Sequence, residues 1–174
     1  MVDEQWHHRR RRRPATLAPA WRFAAITDVN LDGQPDIVLQ NTSTGERAIW
    51  VMDRTKVDST IALPTLPTDW NIAGAGKFTA DGRANLILEN TSTGDRLFWS
   101  LNPDGAIFQS IGLPTLAVSW RIAGTGDFNG DDQTDILLEN TGTGDRVIWA
   151  MDHTNIASSI GLPTLPTSWI LLRD

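Results

Sequence analysis

The chain contains no cysteine, so it can carry no disulfide framework, no cysteine-based zinc site and no thiol nucleophile. Histidine is scarce: His7, His8 and His153 are all there are, two of them beside a run of arginines. No serine or threonine has an evident base partner in the pattern, and carboxylates multiplied by a repeat do not form a unique acid–base pair. No catalytic function is therefore expected. Long apolar runs are missing too. Nothing approaches the roughly eighteen residues that a membrane-spanning helix needs, and no segment sustains a helical period.

What is present is a unit of about fifty residues that occurs three times and begins a fourth. Trp21, Trp70, Trp120 and Trp169 open similar segments, separated by 70−21 = 49, 120−70 = 50 and 169−120 = 49 residues. A second tryptophan keeps the same beat at Trp50, Trp99 and Trp149. So do the turns NTSTGER at 41–47, NTSTGDR at 90–96 and NTGTGDR at 140–146. Each unit closes on Leu-Pro-Thr-Leu, starting at Leu63, Leu113 and Leu162. Such a period marks an array of supersecondary units, each unable to bury its apolar face alone. Residues 15–21 resemble residues 64–70, so the chain enters the array through the tail of one unit and leaves it at the head of another.

Charge divides the chain. Residues 1–14 hold Arg9 to Arg13 against Asp3 and Glu4, a local 5−2 = +3, so the formal −6 leaves −9 on residues 15–174. That balance disfavours nucleic acid and anionic membrane as partners of the repeat body. The arginine tail reads as a basic arm for an anionic partner or, more simply, as a disordered extension. It makes no signal peptide, because Pro14, Pro19 and Arg22 interrupt any apolar core.

Within each unit the signals are those of strands. Residues 21–27, 70–76 and 120–126 are rich in alanine and glycine, as suits a strand crowded near a central axis. Residues 36–39, 86–88 and 135–138 are apolar runs of the kind covered on both faces. Gly45, Gly94 and Gly144 follow in the turns, where a positive φ is expected. The third strand spans 48–52 and its counterparts. The fourth is read as short, 60–63, ending where Pro64 and Pro67 remove donors. Unit two carries one extra residue at 102–105, in turn chemistry. Four short antiparallel strands per fifty residues describe a β-propeller blade, so the expected fold is all-β: three four-stranded blades (about 21–69, 70–119 and 120–168) plus the first strand of a fourth. An open solenoid of β-sheets is the competing architecture. Propellers commonly close with four to eight blades. Three blades leave two apolar faces open, so a homodimer closing six blades, or a fragment of a larger propeller, is expected.

The segment between the first and second strands carries the most chemistry. In unit one, Asp28, Asn30, Asp32 and Asp36 fall at positions one, three, five and nine, with Gly33 at six. Alternate oxygens turned inward, with a backbone carbonyl near Gln34, would supply most of the shell of a hard cation such as calcium. The EF-hand alternative fails, since position twelve is Leu39 and no helices flank the loop. Unit three repeats the pattern as Asp127, Asn129, Asp131 and Asp135, with Asp132 in the glycine position. Unit two reads Lys77, Thr79, Asp81 and Asn85 and is expected to be metal-free, the Lys77 ammonium standing where the cation would sit. A solvated Asp/Asn/Gly turn without an ion is the plain alternative for all three.

The DxNxDGxxD loop, the fifty-residue beat and runs such as GTGDFNGD and DILLENTGTGDRVIW resemble FG-GAP/VCBS-type repeats over roughly residues 15–174. Those repeats form propeller blades in integrin α-subunits and in many secreted bacterial proteins. The resemblance implies calcium at Asp28, Asn30, Asp32 and Asp36 and at Asp127, Asn129, Asp131 and Asp135, and an extracellular or cell-surface setting. This chain departs from the pattern at Lys77, Asn85 and Asp132. The implied function is non-catalytic binding or adhesion, since the architecture serves many partners. Bacterial propeller lectins with tryptophan-rich blades are similar in style, and a multivalent lectin is the alternative. On that reading Trp50, Trp99 and Trp149 are sugar platforms and Arg47, Arg96 and Arg146 donate to hydroxyls. The plainer reading has the tryptophans as core and the arginines paired with Glu46, Asp95 and Asp145 or stacked on indole.

Overall fold

The computed structural model describes residues 18–169. The arginine tail at 1–14 lies outside them, as does the fourth-unit strand expected at 169–174 apart from Trp169. Twelve strands and no helix occur among the described residues. Unit one supplies β1 (Trp21–Thr27), β2 (Asp36–Asn41), β3 (Arg47–Asp53) and β4 (Lys56–Leu63). Unit two supplies β5 (Trp70–Gly76), β6 (Asn85–Asn90), β7 (Arg96–Leu101) and β8 (Ile107–Leu113). Unit three supplies β9 (Trp120–Gly126), β10 (Asp135–Asn140), β11 (Arg146–Asp152) and β12 (Asn155–Leu162). Each unit folds as its own four-stranded antiparallel sheet in sequential order. The first strands β1, β5 and β9 lie next to one another.

The fourth strand is longer than the sequence reading allowed. β4 runs over eight residues, starting directly after the turn at Arg54 and Thr55. Its first half, Lys56 to Thr60, is exposed, so its side chains carry no apolar alternation to reveal it, and main-chain pairing to β3 alone defines it. The extra residue of unit two lies in the turn between β7 and β8, as expected. Each first strand carries a bulge at the same repeat position, Ala24, Ala73 and Ala123. The extra residue twists the strand where it meets its neighbour.

The core lies between sheets. One cluster joins Val29, Val38, Ile49, Val51 and Leu63 of the first unit to Ile72, Leu86, Leu88, Trp99 and Leu101 of the second. Another joins Phe78, Ile87, Phe98 and Leu113 of the second to Ile122, Ile136, Leu138, Trp149 and Met151 of the third. Along β6 the alternation is direct: Leu86 and Leu88 face the first sheet, and Ile87 faces the third. An unbroken apolar run is required because both faces are covered, each such side chain contributing about 1.5–3 kcal/mol by burial. The small residues of the first strand have the crowding expected of them. A Cβ on Gly76 would come within 2.6 Å of the Thr134 side chain in the next unit.

The NTxTG turn fastens each unit onto itself. Asn41, Asn90 and Asn140 accept two main-chain amides each through Oδ1, closing the turn on itself. Thr42, Thr91 and Thr141 donate through both amide and hydroxyl to the carbonyl preceding the first-strand tryptophan. Gly45, Gly94 and Gly144 have φ of +76, +81 and +78°, as the sequence demanded. The crossing Leu-Pro-Thr-Leu segment comes so close that a Cβ on Gly94 would sit 1.8 Å from the Leu116 carbonyl oxygen. Gly94→Ala should therefore destabilise the chain by roughly 3 kcal/mol or more in denaturant titration, through clash and left-handed backbone together. Gly112→Ala, where the new methyl would meet nothing within 4 Å, should change stability by no more than about 1 kcal/mol.

Candidate functional site

The loops between first and second strands fold as networks of carboxylate-to-backbone hydrogen bonds. Asp28 accepts the Asp32 amide at 3.2 Å and the Gly33 amide at 2.9 Å. Asn30 Oδ1 accepts the Asp32 amide at 3.1 Å, and its Nδ2 donates to Asp32 Oδ2 at 2.9 Å. Asp32 Oδ1 accepts the Gln34 amide at 2.8 Å. Unit three repeats this network with Asp127, Asn129 and Asp131. Two positions of each loop are left-handed: Leu31 and Gly33 in unit one, Gly130 and Asp132 in unit three. Aspartate and glycine suit that backbone, and Leu31 at φ +63° is strained there.

Asp36 and Asp135 differ from the other aspartates. Both are fully buried. Asp36 joins the loop start to the third strand, accepting the Val29 and Met52 amides, each at 2.9 Å. Asp135 does the same for Phe128 and Met151. Gln34, expected to contribute a carbonyl, also accepts the Arg54 amide through Oε1 at 2.6 Å, and Gln133 accepts that of His153 at 2.8 Å. Among the described residues no three His, Asp or Glu side chains group as a metal-ligand set.

The donor chemistry fits a hard cation in units one and three. Asp28, Asp32 and Asp36 bring three negative charges to one loop, and none of them forms an ion pair with lysine or arginine among the described residues. Unit three brings Asp127, Asp131, Asp132 and Asp135, likewise unpaired. Unit two is the contrast. The repeat position of Gln34 and Gln133 is Arg83, whose guanidinium pairs with Asp81 at 3.0 Å, bonds Asn102 Oδ1 at 2.5 Å and lies 4.4 Å from the Phe108 ring centre. Arg83 thus brings a guanidinium to a loop that already contains Lys77. Asn85 accepts the Phe78 amide as Asp36 accepts that of Val29, but its Nδ2 is buried without a partner. The Leu101 amide turns instead to the Ala84 carbonyl.

The candidate sugar residues stand elsewhere. Trp99 and Trp149 are buried in the clusters between sheets, and Trp50, the same position in unit one, is half-buried. Arg47, Arg96 and Arg146 are 2–4% exposed, which removes them from the surface that a sugar would touch. Their plain alternative needs correction as well. Instead of pairing with Glu46, Asp95 and Asp145, each guanidinium donates to its own turn glycine carbonyl and to the tryptophan carbonyl that opens the next unit. Arg47 reaches Trp70 O at 2.5 Å, Arg96 reaches Trp120 O at 2.6 Å and Arg146 reaches Trp169 O at 3.1 Å. A second side chain works beside it. Gln40 accepts the Ile72 amide at 2.9 Å, and Glu89 accepts the Ile122 amide at 3.0 Å while lying 3.6 Å from Arg96. Glu139 pairs with Arg146. This clamp was missed in the sequence, where its signal was a Gln or Glu recurring at the end of an apolar run.

Asp95 and Asp145 have a different task. Hydroxyls of Thr115 and Thr93 at 2.7 Å hold the Asp95 carboxyl below its ordinary range, and Thr143 at 2.6 Å and Thr164 at 2.8 Å do the same for Asp145. Amides of its own loop, that of Gly130 foremost, lower Asp127. Comparison with protein-family models and with curated proteins finds no match for this chain.

Two measurements check these assignments. Lowered folded values mean stabilisation that is complete above the unfolded aspartate value of about 3.9 and fades as pH falls through the folded value. Carboxyl NMR should show Asp95 titrating below that value, and Thr115→Val should move it upward. Arg96→Met should cost roughly 3–5 kcal/mol by leaving Glu89 buried and unpaired, and Glu89→Leu added to it should recover part of the loss. Equal losses in the single and double variants would assign the whole effect to the carbonyl bonds.

Proposed function

We propose that the chain is a non-catalytic, calcium-stabilised β-propeller module of the FG-GAP/VCBS type, serving binding or adhesion outside the cell. Adjacent first strands, largely exposed fourth strands and apolar contacts face to face between successive sheets support the blade arrangement. One observation carries the calcium reading. The two carboxylate-rich loops have no cationic side chain paired to them, whereas the depleted loop of unit two has Arg83 on Asp81. Asp28, Asn30, Asp32, the Gln34 carbonyl and Asp36 would hold one ion. Asp127, Asn129, Asp131 and Asp135 would hold the other. A bound cation relieves the repulsion within each loop and ties the first strand to the second.

The lectin alternative is weaker, because the arginines and two of its three tryptophans are buried. It would reappear if a glycan array gave hits accompanied by a change in tryptophan fluorescence.

Calcium at about a hundred times its dissociation constant should add about 2.7 kcal/mol of stability. The melting midpoint should rise with millimolar calcium and fall with chelator, and Asp28→Asn with Asp127→Asn should abolish the difference. An unchanged midpoint in the unsubstituted chain would remove the metal from the account.

A further inference from the structure

Equivalent positions of the three units have unequal surroundings. The third residue of the first strand is 7% exposed as Ile72 and 0% as Ile122, but 69% exposed as Phe23. The clamp and apolar face of the preceding unit cover the first two, through Gln40 with Arg47 and Glu89 with Arg96. The other end of the array mirrors this. The loop residue buried as Val29 at 1% and Phe78 at 0% is Phe128 at 47% in unit three. Ile61 packs into the first cluster and Ile111 into the second, while Ile160 and Leu165 are exposed. Among the described residues the first sheet thus presents an uncovered leading face, and the third an uncovered trailing face.

Inside the chain the same two faces meet twice, so the structure displays what covers each. We propose that the leading face of unit one docks on the trailing face of unit three in a second copy of this chain. Arg146 of the second copy donates to the Trp21 carbonyl, and its Glu139 accepts the Phe23 amide. These are the bonds that Arg96 and Glu89 make to Trp120 and Ile122. Both groups belong to the edge of β1 that does not pair with β2, and side chains capping an edge also block unwanted strand addition. Docking exchanges one carbonyl acceptor for another, since Arg146 already bonds Trp169 O, at 3.1 Å against 2.6 Å for Arg96 on Trp120. The contact is heterologous, so it forms a closed ring when the rotation permits. Two copies contribute six units through two identical contacts.

The inference rests on the propeller-blade reading and is independent of calcium. Light scattering of the 174-residue chain should give twice the chain mass at micromolar concentration. Phe23→Glu damages the leading face and Ile160→Glu the trailing face, both at exposed positions. Each variant should be monomeric with an unchanged far-UV spectrum. Mixed together, each keeps the face the other lacks, and a two-chain species should return. A monomeric parent chain, or an association that survives both substitutions, overturns the proposal. A folded monomer whose melting point rises with calcium would sink this docking and leave the calcium reading standing. An associating chain indifferent to calcium would do the reverse.

Discussion

Everything beyond a single sheet depends on a buried guanidinium between two main-chain carbonyls. Arg47 reaches the Gly45 carbonyl of its own turn at 2.6 Å and the Trp70 carbonyl of the next unit at 2.5 Å. A planar fork with several donors spans that pair; a lysine ammonium, a point charge on a flexible stem, would satisfy both less well. The arrangement is demanding. Burial pulls the Arg47 and Arg96 guanidiniums below the usual arginine range, and Nε of all three arginines is buried without a partner. Removing such groups from water is unfavourable, so the charge-assisted bonds and the covering apolar cluster must together exceed that penalty. The return is geometric. The guanidinium and its Gln or Glu neighbour hold two edge groups of the next first strand, the tryptophan carbonyl and the amide two residues on, and thereby set the register between sheets.

The same turn explains why the repeat is written so closely at NTxTG[ED]R and so loosely in its fourth strand. Asparagine closes the turn, threonine ties it backward to the start of its own unit, glycine admits the crossing carbonyl, and arginine ties it forward. In units two and three the aspartate adds a bond to the threonine of Leu-Pro-Thr-Leu, at 2.7 Å from Thr115 and 2.8 Å from Thr164. Among the described residues the Glu46 side chain bonds only Thr44 of its own turn. Each residue has specific partners at fixed distances. The fourth strand, by contrast, is held by main-chain pairing and needs little from its side chains.

That division also decides what the sequence could disclose. The first strands coincide with the segments marked by tryptophan and small residues, whose pattern recurs in all three units. The second strands were under-read, since Gln40, Glu89 and Glu139 look like strand ends yet lie within the ladder. Arginine beside acid in adjacent positions suggested a local pair, but neighbours along a strand point to opposite faces. Arg47 turns inward and Glu46 outward. The loop oxygens were legible as a spacing. The division of labour among them was not, because the burial of Asp36 and Asp135 depends on where the third strand passes.

The loops and the packing together give the array a graded interior. The middle sheet has apolar neighbours on both faces, and its loop is neutralised within the chain by Arg83. The outer sheets each have one neighbour among the described residues, and theirs are the loops whose carboxylates have no cationic partner. Residues 15–174 already carry a formal −9, a self-repulsion that a compact body must withstand. Its least compensated portions lie in the two sheets with the least buried apolar surface. Local opening should be most frequent there, as regions with few buried contacts open at the lowest free energy. Whatever neutralises those loops or covers those faces therefore acts where the array is weakest, and the clamps carry the gain to the neighbouring sheet.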